Sequence, residues 1–380
     1  MEVEGTQART LPAIRRLVVK IGSSSLVDGS GAVARARLGK IVREIADAAE
    51  RGYACVLVSS GAIASGLAPL GLVGRPNDLA GLQAAAAVGQ GRLMAEYARL
   101  FARRGLLAAQ VLLTQEDFVA RRRFVNAQRT FDRLLVARAV PVVNENDTVA
   151  TEEITFGDND RLAALVAIMV GADLLVQLSD IDGIYTQDPR RPGARLLTEV
   201  RDPLAVDPGP ASSLGSGGMA SKLQAAGLAS AAGIPTVVAN SAMRGVVARI
   251  LAGEPVGTWV AARAGRRRAR KAWMAFASSP RGRIVVDAGA ASAVRDHGKS
   301  LLPAGVVAVE GTFAAGDAVE LVGPEGPFAR GITDYSAADL TRLTGRLGCP
   351  DRGGWSDPCQ PGRPMPGRPG ARWSIETFSW

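Results

Sequence analysis

The residues best suited to chemistry in this chain lie at the two ends of one segment, residues 144–160. The segment carries two groups of amides and carboxylates: Asn144, Glu145, Asn146 and Asp147, then Asp158, Asn159 and Asp160. Groups this dense in such side chains suit a small ligand that is zwitterionic or carries a cation. Helix capping by Asn146 and Asp158 is a simpler explanation, but it accounts for one residue at each end and leaves the others unexplained.

Apolar runs flank this segment on both sides. Residues 139–143 have the composition of a buried strand, and residues 162–170 have that of a helix. The first polar group therefore follows a strand, and the second begins a helix. Open α/β folds bind ligands at such crossings, beyond the carboxyl ends of their strands. We expect a ligand pocket at this position.

Two other strands run into turns that are rich in Ser and Gly. Residues 17–22 read L-V-V-K-I-G and lead into three serines, and residues 55–58 lead into the turn at 59–61. Such turns offer backbone N–H groups and hydroxyls to a phosphate. Lys20 could add an ammonium group there, although taken alone it is more simply an ordinary lysine of an edge strand. The pattern G-x-x-x-x-G-K-[ST] does not occur, so neither turn is a P-loop of the usual type.

A third candidate for phosphate binding is the Gly-rich element G-S-G-G-M-A-S-K at residues 215–222. It precedes an Ala-rich helix and follows a strand that ends at Asp180. Its glycines would let backbone amides close on phosphate oxygens, and Lys222 falls in the first turn of the helix. A Gly-rich loop alone indicates little, but the helix and the strand-end acid make this one a better candidate.

The order of strands and helices predicts the fold class. From residue 17 to residue 252 the two alternate, which predicts a mainly parallel sheet covered by helices on both faces, a three-layer α/β sandwich. Short strand-like runs between Gly and Pro turns then predict a small β-rich domain. The predicted division is an N-terminal extension at 1–14, an α/β domain at 15–256, a linker at 257–272, the β-rich domain at 273–345 and a tail at 346–380. The tail shows no periodicity and is predicted to be disordered.

Composition excludes several functional classes. The 380 residues are 47% apolar, and the net charge of +9 permits anionic partners such as nucleotides or RNA, although an Arg-rich solvated surface explains it as well. Cys55, Cys349 and Cys359 are too few for a disulfide framework or a zinc site. His297 is the only histidine, which argues against three-His metal sites and Ser-His-Asp triads. The chain shows no signal peptide and no apolar run of membrane-spanning length, so a cytoplasmic enzyme is the expectation.

Six motifs, taken in their order and spacing, resemble the glutamate 5-kinase branch of the amino acid kinase family. They read V-V-K-I-G-S-S-S, V-S-S-G-A-I-A-S-G, V-V-N-E-N-D, F-G-D-N-D-R-L-A-A, L-S-D-I-D-G-I-Y-T-Q-D-P and G-S-G-G-M-A-S-K. The β-rich segment is similar to the PUA domain that this branch often carries, through D-A-G-A-A-S-A-V, S-L-L-P-A-G-V and G-T-F-A-A-G-D-A-V. The resemblance covers residues 15–345 and stops where the family continues with a helix and a strand. This PUA-like domain is therefore expected to be incomplete.

The resemblance implies an activity and its partners. Enzymes of the glutamate 5-kinase branch transfer phosphate directly from ATP to the side-chain carboxylate of L-glutamate. The product is γ-glutamyl phosphate, and the reaction is the first step of proline biosynthesis. Mg2+ is implied as the cofactor, held mainly by the ATP phosphates, and no protein ligand is assigned to it. The family also implies a homo-oligomer, either a dimer or a tetramer. Feedback inhibition by proline is implied at the glutamate pocket, and residues 145–157 are the expected place where it is set.

The resemblance also implies roles for individual residues. Lys20 and Lys222 are implied to be catalytic, with Asp160 orienting them. The implied glutamate-binding positions are Ser60, Asn144, Asp147, Asp158 and Asn159. The implied ATP-binding positions are Lys20, Gly22, Ser179, Asp180, Ser216, Gly217, Gly218, Met219, Ala220, Ser221 and Lys222.

The chemistry of phosphoryl transfer agrees with these roles. The reaction needs positioned groups and neutralised negative charge rather than an acid or a base, and two lysines held by a carboxylate would supply both. The side-chain carboxylate of glutamate is ionised at neutral pH, so no catalytic histidine is required. The α-ammonium group of glutamate needs an anionic partner, for which Asp147 is the natural candidate.

Two alternatives stay open at this point. The chain could be another carboxylate or phosphate kinase of the same fold. It could also bind RNA through the PUA-like domain and the basic residues at 266–271. Because the substrate residues are intact, RNA binding would be an additional role.

Overall fold

The computed structural model describes most of the chain. The described residues are 9–28, 33–149, 159–187, 191–206, 218–263, 280–295, 301, 305–315, 317–333, 335–345 and 376–379. Asp158, Ser216, Gly217 and residues 266–271, all named above, lie outside them. The chain forms two compact units, Met1–Arg270 and Lys271–Trp380.

The first unit is built on one mostly parallel sheet. In chain order its strands are β1 Arg16–Ile21, β2 Ala54–Ser59, β3 Ala108–Leu113, β4 Val140–Glu145, β5 Leu174–Ser179, β6 Glu199–Val200, β7 Thr236–Asn240 and β8 Thr258–Val260. Across the sheet the order is β3-β4-β2-β1-β5-β7-β8-β6. Within the described ranges, only β7 and β8 pair in antiparallel fashion. β1 lies in the middle of the sheet, so Lys20 is not on an edge strand, which corrects the simpler explanation of this lysine.

Helices cover both faces of this sheet, as the alternating pattern predicted. In chain order they are α1 Ser23–Leu26, α2 Arg35–Glu50, α3 Ala62–Leu67, α4 Leu79–Ala102, α5 Glu116–Val119, α6 Arg121–Val136, α7 Asn159–Val170, α8 Met219–Ala231 and α9 Val246–Leu251. Side chains of α2, α4 and α9 share an apolar core with alternate residues of β1 and β5 on one face. α6, α7 and α8 contact the strands from the other face. The three-layer α/β arrangement is therefore confirmed.

The local sequence explains the character of two of these helices. In α7 every residue from Leu162 to Val170 is buried, as expected of a helix that is apolar on all sides. α2 instead buries one stripe, which includes Ile41 and Ile45. It ends before Gly52, whose φ of 92° is the left-handed conformation of a helix C-terminus. No helix in the described ranges is both long and apolar enough to cross a membrane.

α3 and α4 cross closely because each has a glycine at the contact. An added Cβ on Gly66 would lie 1.9 Å from the carbonyl oxygen of Ala85, and one on Gly89 would lie 1.8 Å from that of Ala62. Neither position has room for a side chain, so the two backbones touch directly. α3 starts immediately after the turn that contains Ser60, and the crossing therefore ties that turn to α4.

The second unit contains a five-stranded sheet. Its strands are β9 Gly282–Val286, β10 Val306–Gly311, β11 Ala318–Gly323, β12 Gly326–Ile332 and β13 Glu376–Ser379, in the order β10-β9-β11-β12-β13. The strand pairs are antiparallel except for β9 with β11. Two helices, α10 Ala288–Arg295 and α11 Ala337–Gly345, belong to the described part of this unit. The predicted β-rich domain is confirmed.

The helices α10 and α11 and one strand of the second unit were not predicted. β13 lies within the tail at 346–380, and the expectation of disorder there is wrong for residues 376–379. This strand is held by antiparallel pairing with β12. These residues form a strand because they pair with β12, which is distant in the chain. The local sequence has no periodicity that would predict this pairing.

Candidate active site

Three buried charged side chains meet near the carboxyl end of β1. One carboxylate oxygen of Asp160 forms an ion pair with Nζ of Lys20, and the other lies 3.0 Å from Nζ of Lys222. The exposed fractions are 2% for Lys20, 0% for Asp160 and 6% for Lys222. Buried charges are costly unless they are paired, and here one carboxylate serves two ammonium groups. The structure thus brings together the three residues that the sequence linked to catalysis, with a net formal charge of one positive unit.

Each member of this cluster comes from a different element. Lys20 lies on β1, Asp160 in the first turn of α7 and Lys222 near the start of α8. α7 and α8 pack against each other, which places their starts side by side. The hydroxyl of Ser221 lies 3.0 Å from both Oδ2 of Asp160 and the carbonyl oxygen of Gly218. The start of α8 is therefore tied to Asp160.

The backbone that follows Lys20 passes close to its ammonium group. An added Cβ on Gly22 would lie 3.6 Å from Nζ of Lys20. Gly22 has ordinary extended backbone angles, and an added Cβ would make only ordinary van der Waals contacts. Residues 219–221 bring the first backbone amides of α8, and the positive end of its dipole, to the same cluster. Together these groups favour an anion such as a phosphate.

A hydrogen-bonded group of amides lies next to the lysines. Nδ2 of Asn159 is 2.8 Å from Oγ of Ser60, 2.9 Å from Oδ1 of Asn144 and 3.2 Å from the carbonyl oxygen of Ser59. Asn159 directly precedes Asp160 at the start of α7, so the amide network and the charged cluster are contiguous. The structure therefore brings together three of the residues that the resemblance links to glutamate: Ser60, Asn144 and Asn159.

Asp147 begins the short 3-10 turn Asp147–Val149, which follows β4 and packs against α4. Burial raises the pKa of Asp147 to about 6, and the positive charge of Arg75 opposes that rise. A partly buried carboxylate of this kind has lost solvation that a cationic ligand can replace. Asp147 therefore has the electrostatic character expected of a partner for an ammonium group.

The end of β5 lies beside β1 and carries Ser179 and Asp180. Ser179 is buried, and its hydroxyl lies 3.0 Å from Oδ1 of the exposed Asp180. Asp182 accepts a hydrogen bond from Nδ2 of Asn240 at 2.8 Å, which ties the loop after β5 to the end of β7. This edge of the sheet therefore presents polar groups close to the lysine cluster.

Sequence reasoning missed Gln90 and Arg75. Oε1 of Gln90, on α4, accepts a hydrogen bond from Nδ2 of Asn144 at 2.8 Å. Gln90 is a polar residue between two glycines in an Ala-rich helix, and this contrast was the available signal. No local pattern marks Arg75, whose position near Asp147 arises only from folding.

Three predicted site residues have no described position. Asp158, Ser216 and Gly217 lie outside the described ranges, so their roles stay predictions. Among the residues that the structure does describe, no group of three or more His, Cys, Asp or Glu side chains could hold a metal ion.

Comparison with known proteins adds two family matches. The model of the amino acid kinase family matches residues 15–240, and the model of the PUA domain matches residues 282–349. The two matches correspond to the α/β unit and the β-rich unit.

Three curated relatives are similar over most of the chain, and each is named glutamate 5-kinase. The protein of Salinispora arenicola is 52% identical over 340 residues, which cover 88% of this chain and 91% of the relative. The protein of Streptomyces coelicolor is 53% identical over 338 residues, which cover 87% and 90%. The protein of Rhodococcus jostii is 49% identical over 342 residues, which cover 89% and 93%.

Proposed function

The chain belongs to the amino acid kinase family, within its glutamate 5-kinase branch, and from this premise we propose how its residues carry out the reaction. The activity is phosphorylation of L-glutamate with ATP as the phosphate donor, the first step of proline biosynthesis. The acceptor is the side-chain carboxylate, and the product is γ-glutamyl phosphate.

The observation that carries the proposal is the buried carboxylate of Asp160 between Lys20 and Lys222. In the transfer, an oxygen of the glutamate side chain forms a bond to the γ-phosphorus of ATP while the bond to the β–γ bridging oxygen breaks. No proton moves, because the attacking carboxylate is already ionised. Negative charge moves onto the leaving oxygen of ADP, and positioned cations are the main means of stabilising it. Lys20 and Lys222 supply those cations.

Asp160 orients the two lysines in this scheme. Two ammonium groups in a site with little water repel each other strongly, and a shared carboxylate lowers that repulsion. It also holds both nitrogens at defined positions before the nucleotide arrives, which reduces the reorganisation needed during transfer.

Glutamate is proposed to bind in the amide network beside this cluster. Ser60, Asn144 and Asn159 would contact its polar groups, and Asp147 would pair with the α-ammonium group. Asp158, which precedes Asn159 in the same segment, is proposed to contribute as well. With the ammonium held at Asp147, the side-chain carboxylate would extend toward the lysines, in line with the γ-phosphorus.

ATP is proposed to lie along Gly22 and the start of α8. Its phosphates would contact the two lysines and the amides of residues 216–221, while Ser179 and Asp180 would meet the nucleotide at the end of β5. Mg2+ takes many of its ligands from phosphates and water, and the exposed carboxylate of Asp180 is an oxygen donor that fits such an ion. The metal would neutralise part of the phosphate charge.

Further properties of the whole protein are proposed from the family. We propose an N-terminal extension at 1–14, a kinase domain at 15–256, a linker at 257–272 and a PUA domain that begins at 273, extends beyond the predicted boundary at 345 and includes β13. We also propose a cytoplasmic homo-oligomer, a dimer or a tetramer, that proline inhibits at the glutamate pocket through residues 145–157. RNA binding by the PUA domain would be an additional role, and salt-sensitive retention of RNA by the full chain tests it.

A substrate panel tests the proposed function. The protein is incubated with ATP, Mg2+ and glutamate, aspartate or uridylate in turn, ADP release is measured, and acyl phosphate is trapped with hydroxylamine. We expect a hydroxamate with glutamate alone. Phosphorylation of aspartate or uridylate, with glutamate inert, would overturn the proposal.

The variant Lys222→Ala tests the role of this lysine. We expect kcat to fall by about a hundredfold or more, since the lysine acts on charge that develops in the transition state. The KM for glutamate should change far less. A kcat equal to that of the parent would remove Lys222 from the mechanism.

A further inference from the structure

The amide network has a defined hydrogen-bond polarity because backbone groups anchor it at both ends. Oδ1 of Asn144 accepts a hydrogen bond from the backbone N–H of Glu145 at 2.9 Å, so the other terminal atom of Asn144 is its NH2 group. Nδ2 of Asn159 lies 3.2 Å from the backbone carbonyl oxygen of Ser59, which can only accept. The backbone thus assigns nitrogen and oxygen in both side-chain amides.

Gln90 completes the network from α4. The NH2 group of Asn144 points at Gln90, so Gln90 must offer an acceptor, and Oε1 lies 2.8 Å from Nδ2 of Asn144. Donation therefore runs in one direction, from Asn159 to Asn144 and from Asn144 to Gln90. Gln90 is the last acceptor in this series of hydrogen bonds.

Contacts on both sides of Gln90 hold α4 in place. Gly89, the preceding residue, makes the close backbone approach to α3. The hydroxyl of Tyr97, two turns further along α4, lies 2.8 Å from Oγ of Ser59. α4 therefore contacts the network at its Ser59 end and, through Gln90, at its Asn144 end.

This polarity determines what Asn159 can offer to a ligand. Its NH2 group is engaged by acceptors of the protein: Ser60, Asn144 and the carbonyl group of Ser59. Its Oδ1 atom is buried and has no hydrogen-bond partner among the described residues. A buried acceptor without a donor is costly, and a ligand that brings an N–H group removes that cost. Asn159 is therefore arranged to receive a donor rather than a carboxylate.

We propose that Gln90 is a positioning residue for glutamate recognition. Its side-chain oxygen orients Asn144 and, through it, Asn159, so that Asn159 presents Oδ1 to the α-ammonium group of glutamate. This inference rests on the proposed function. Asp147 supplies the negative charge for that ammonium group, and Asn159 supplies a directional acceptor. Without an acceptor at position 90, the NH2 group of Asn144 loses the partner that holds it.

Three variants test the proposal in the full-length protein. Gln90→Met keeps the length and helix-forming character of the side chain but removes the acceptor, and we expect the KM for glutamate to rise roughly tenfold. The KM for ATP should stay within about twofold of the parent value. Gln90→Glu keeps an acceptor in place, and we expect its KM for glutamate within about threefold of the parent value. Gln110→Met, at an exposed glutamine on β3, is the matched control and should change neither constant.

Glutarate, which is glutamate without the α-ammonium group, separates positioning from a general structural effect. Glutarate is measured as a competitive inhibitor, and its Ki is divided by the KM for glutamate. In the parent this ratio should be greater than one, because the parent binds glutamate more tightly. In Gln90→Met the ratio should be smaller. An unchanged ratio overturns the proposal, as does a Gln90→Glu variant that is as impaired as Gln90→Met. A parent protein that leaves glutamate unphosphorylated overturns the proposed function and this proposal with it, and that failure is seen before any variant is made.

Discussion

Gln177 of β5 is the register partner of Lys20 of β1, and the two side chains lie on the same face of the sheet. Their neighbours along each strand, such as Val19 and Val176, belong to the apolar core on the opposite face. Gln177 is 0% exposed, yet neither of its terminal atoms has a hydrogen-bond partner among the described residues. An unsatisfied amide therefore lies directly beside a lysine of the candidate active site.

The variant Gln177→Met should stabilise the fold, because a thioether of similar size needs no hydrogen-bond partner. We expect the free energy of unfolding to rise by about 1–2 kcal/mol in urea denaturation. Gln128→Met is the matched control, since Nε2 of Gln128 donates to the carbonyl oxygen of Met169 at 2.9 Å and its loss should destabilise. A destabilised Gln177→Met variant would contradict the prediction and indicate that an internal water satisfies the amide.

The variant Asp160→Asn should lower stability more than Lys222→Met. Removal of the carboxylate takes the shared ion-pair partner from two buried ammonium groups, whereas removal of Lys222 keeps the ion pair of Lys20 with Asp160. Breaking a buried pair in this way costs on the order of 3–5 kcal/mol, measured by chemical denaturation. Asp132→Asn is the control, because Asp132 pairs with Arg16 at 3.0 Å but is 46% exposed, and its loss should have little effect. Equal stability of Asp160→Asn and Lys222→Met would refute the shared role of Asp160.

Glutamate binding should weaken as pH falls through about 6, the pKa to which burial raises Asp147. Below that pH the carboxyl group is protonated and cannot pair with the α-ammonium group of the substrate, which keeps its charge there. The measurement is the KM for glutamate across this range, with the KM for ATP recorded in parallel. Asp147→Asn should raise the KM at neutral pH and remove this dependence. The same pH profile in both proteins would place the ammonium contact elsewhere.

Asp147→Asn should also raise the melting temperature slightly at neutral pH. The pKa of Asp147 in the folded state, about 6, lies above its usual value, so the folded protein binds the proton more tightly than the unfolded chain does. The contribution of Asp147 to stability is therefore most favourable below the unfolded pKa and is lost as pH rises through about 6. A variant with a lower melting temperature than the parent at neutral pH would show that the ionised Asp147 stabilises the fold, which contradicts the prediction.

The variant Gly89→Ala should impair both stability and glutamate binding. Its methyl group would lie 1.8 Å from the carbonyl oxygen of Ala62, so α3 and α4 must separate, at a cost of roughly 1–3 kcal/mol. Gln90 moves with α4, and the KM for glutamate should therefore rise. Gly91→Ala is the matched control, since nothing lies within 4 Å of the added carbon, and it should stabilise the helix by up to about 1 kcal/mol. Equal effects of the two variants would show that the crossing is not rigid.

Much of the α/β unit could be predicted because its signals are local. The apolar runs before Asn144 and after Asp160 correspond to β4 and α7, and the Gly-rich element leads into α8. The motifs around Lys20, Asp160 and Lys222 were recognised from their order, and folding places the three side chains in ion-pair contact.

Other features could not be predicted because they depend on partners that are distant in the chain. Gln90 of α4 joins the site only because glycines let α4 cross α3, and its partner Asn144 lies on the strand β4, 54 residues further along the chain. β13 forms only where β12 offers an unpaired edge. No pattern within a short window of residues could show either contact.

The sequence by itself determined which elements form, in what order, and which kinds of chemical group stand at the strand ends. The tertiary structure alone decided that Asp160 is shared between two lysines, which terminal atom of the Asn159 amide has hydrogen-bond partners among the described residues, and how far burial raises the pKa of Asp147. The physical reason is one of range. Helix and strand periodicity acts between near neighbours in the chain, whereas burial, charge pairing and hydrogen-bond direction depend on residues that only folding brings together.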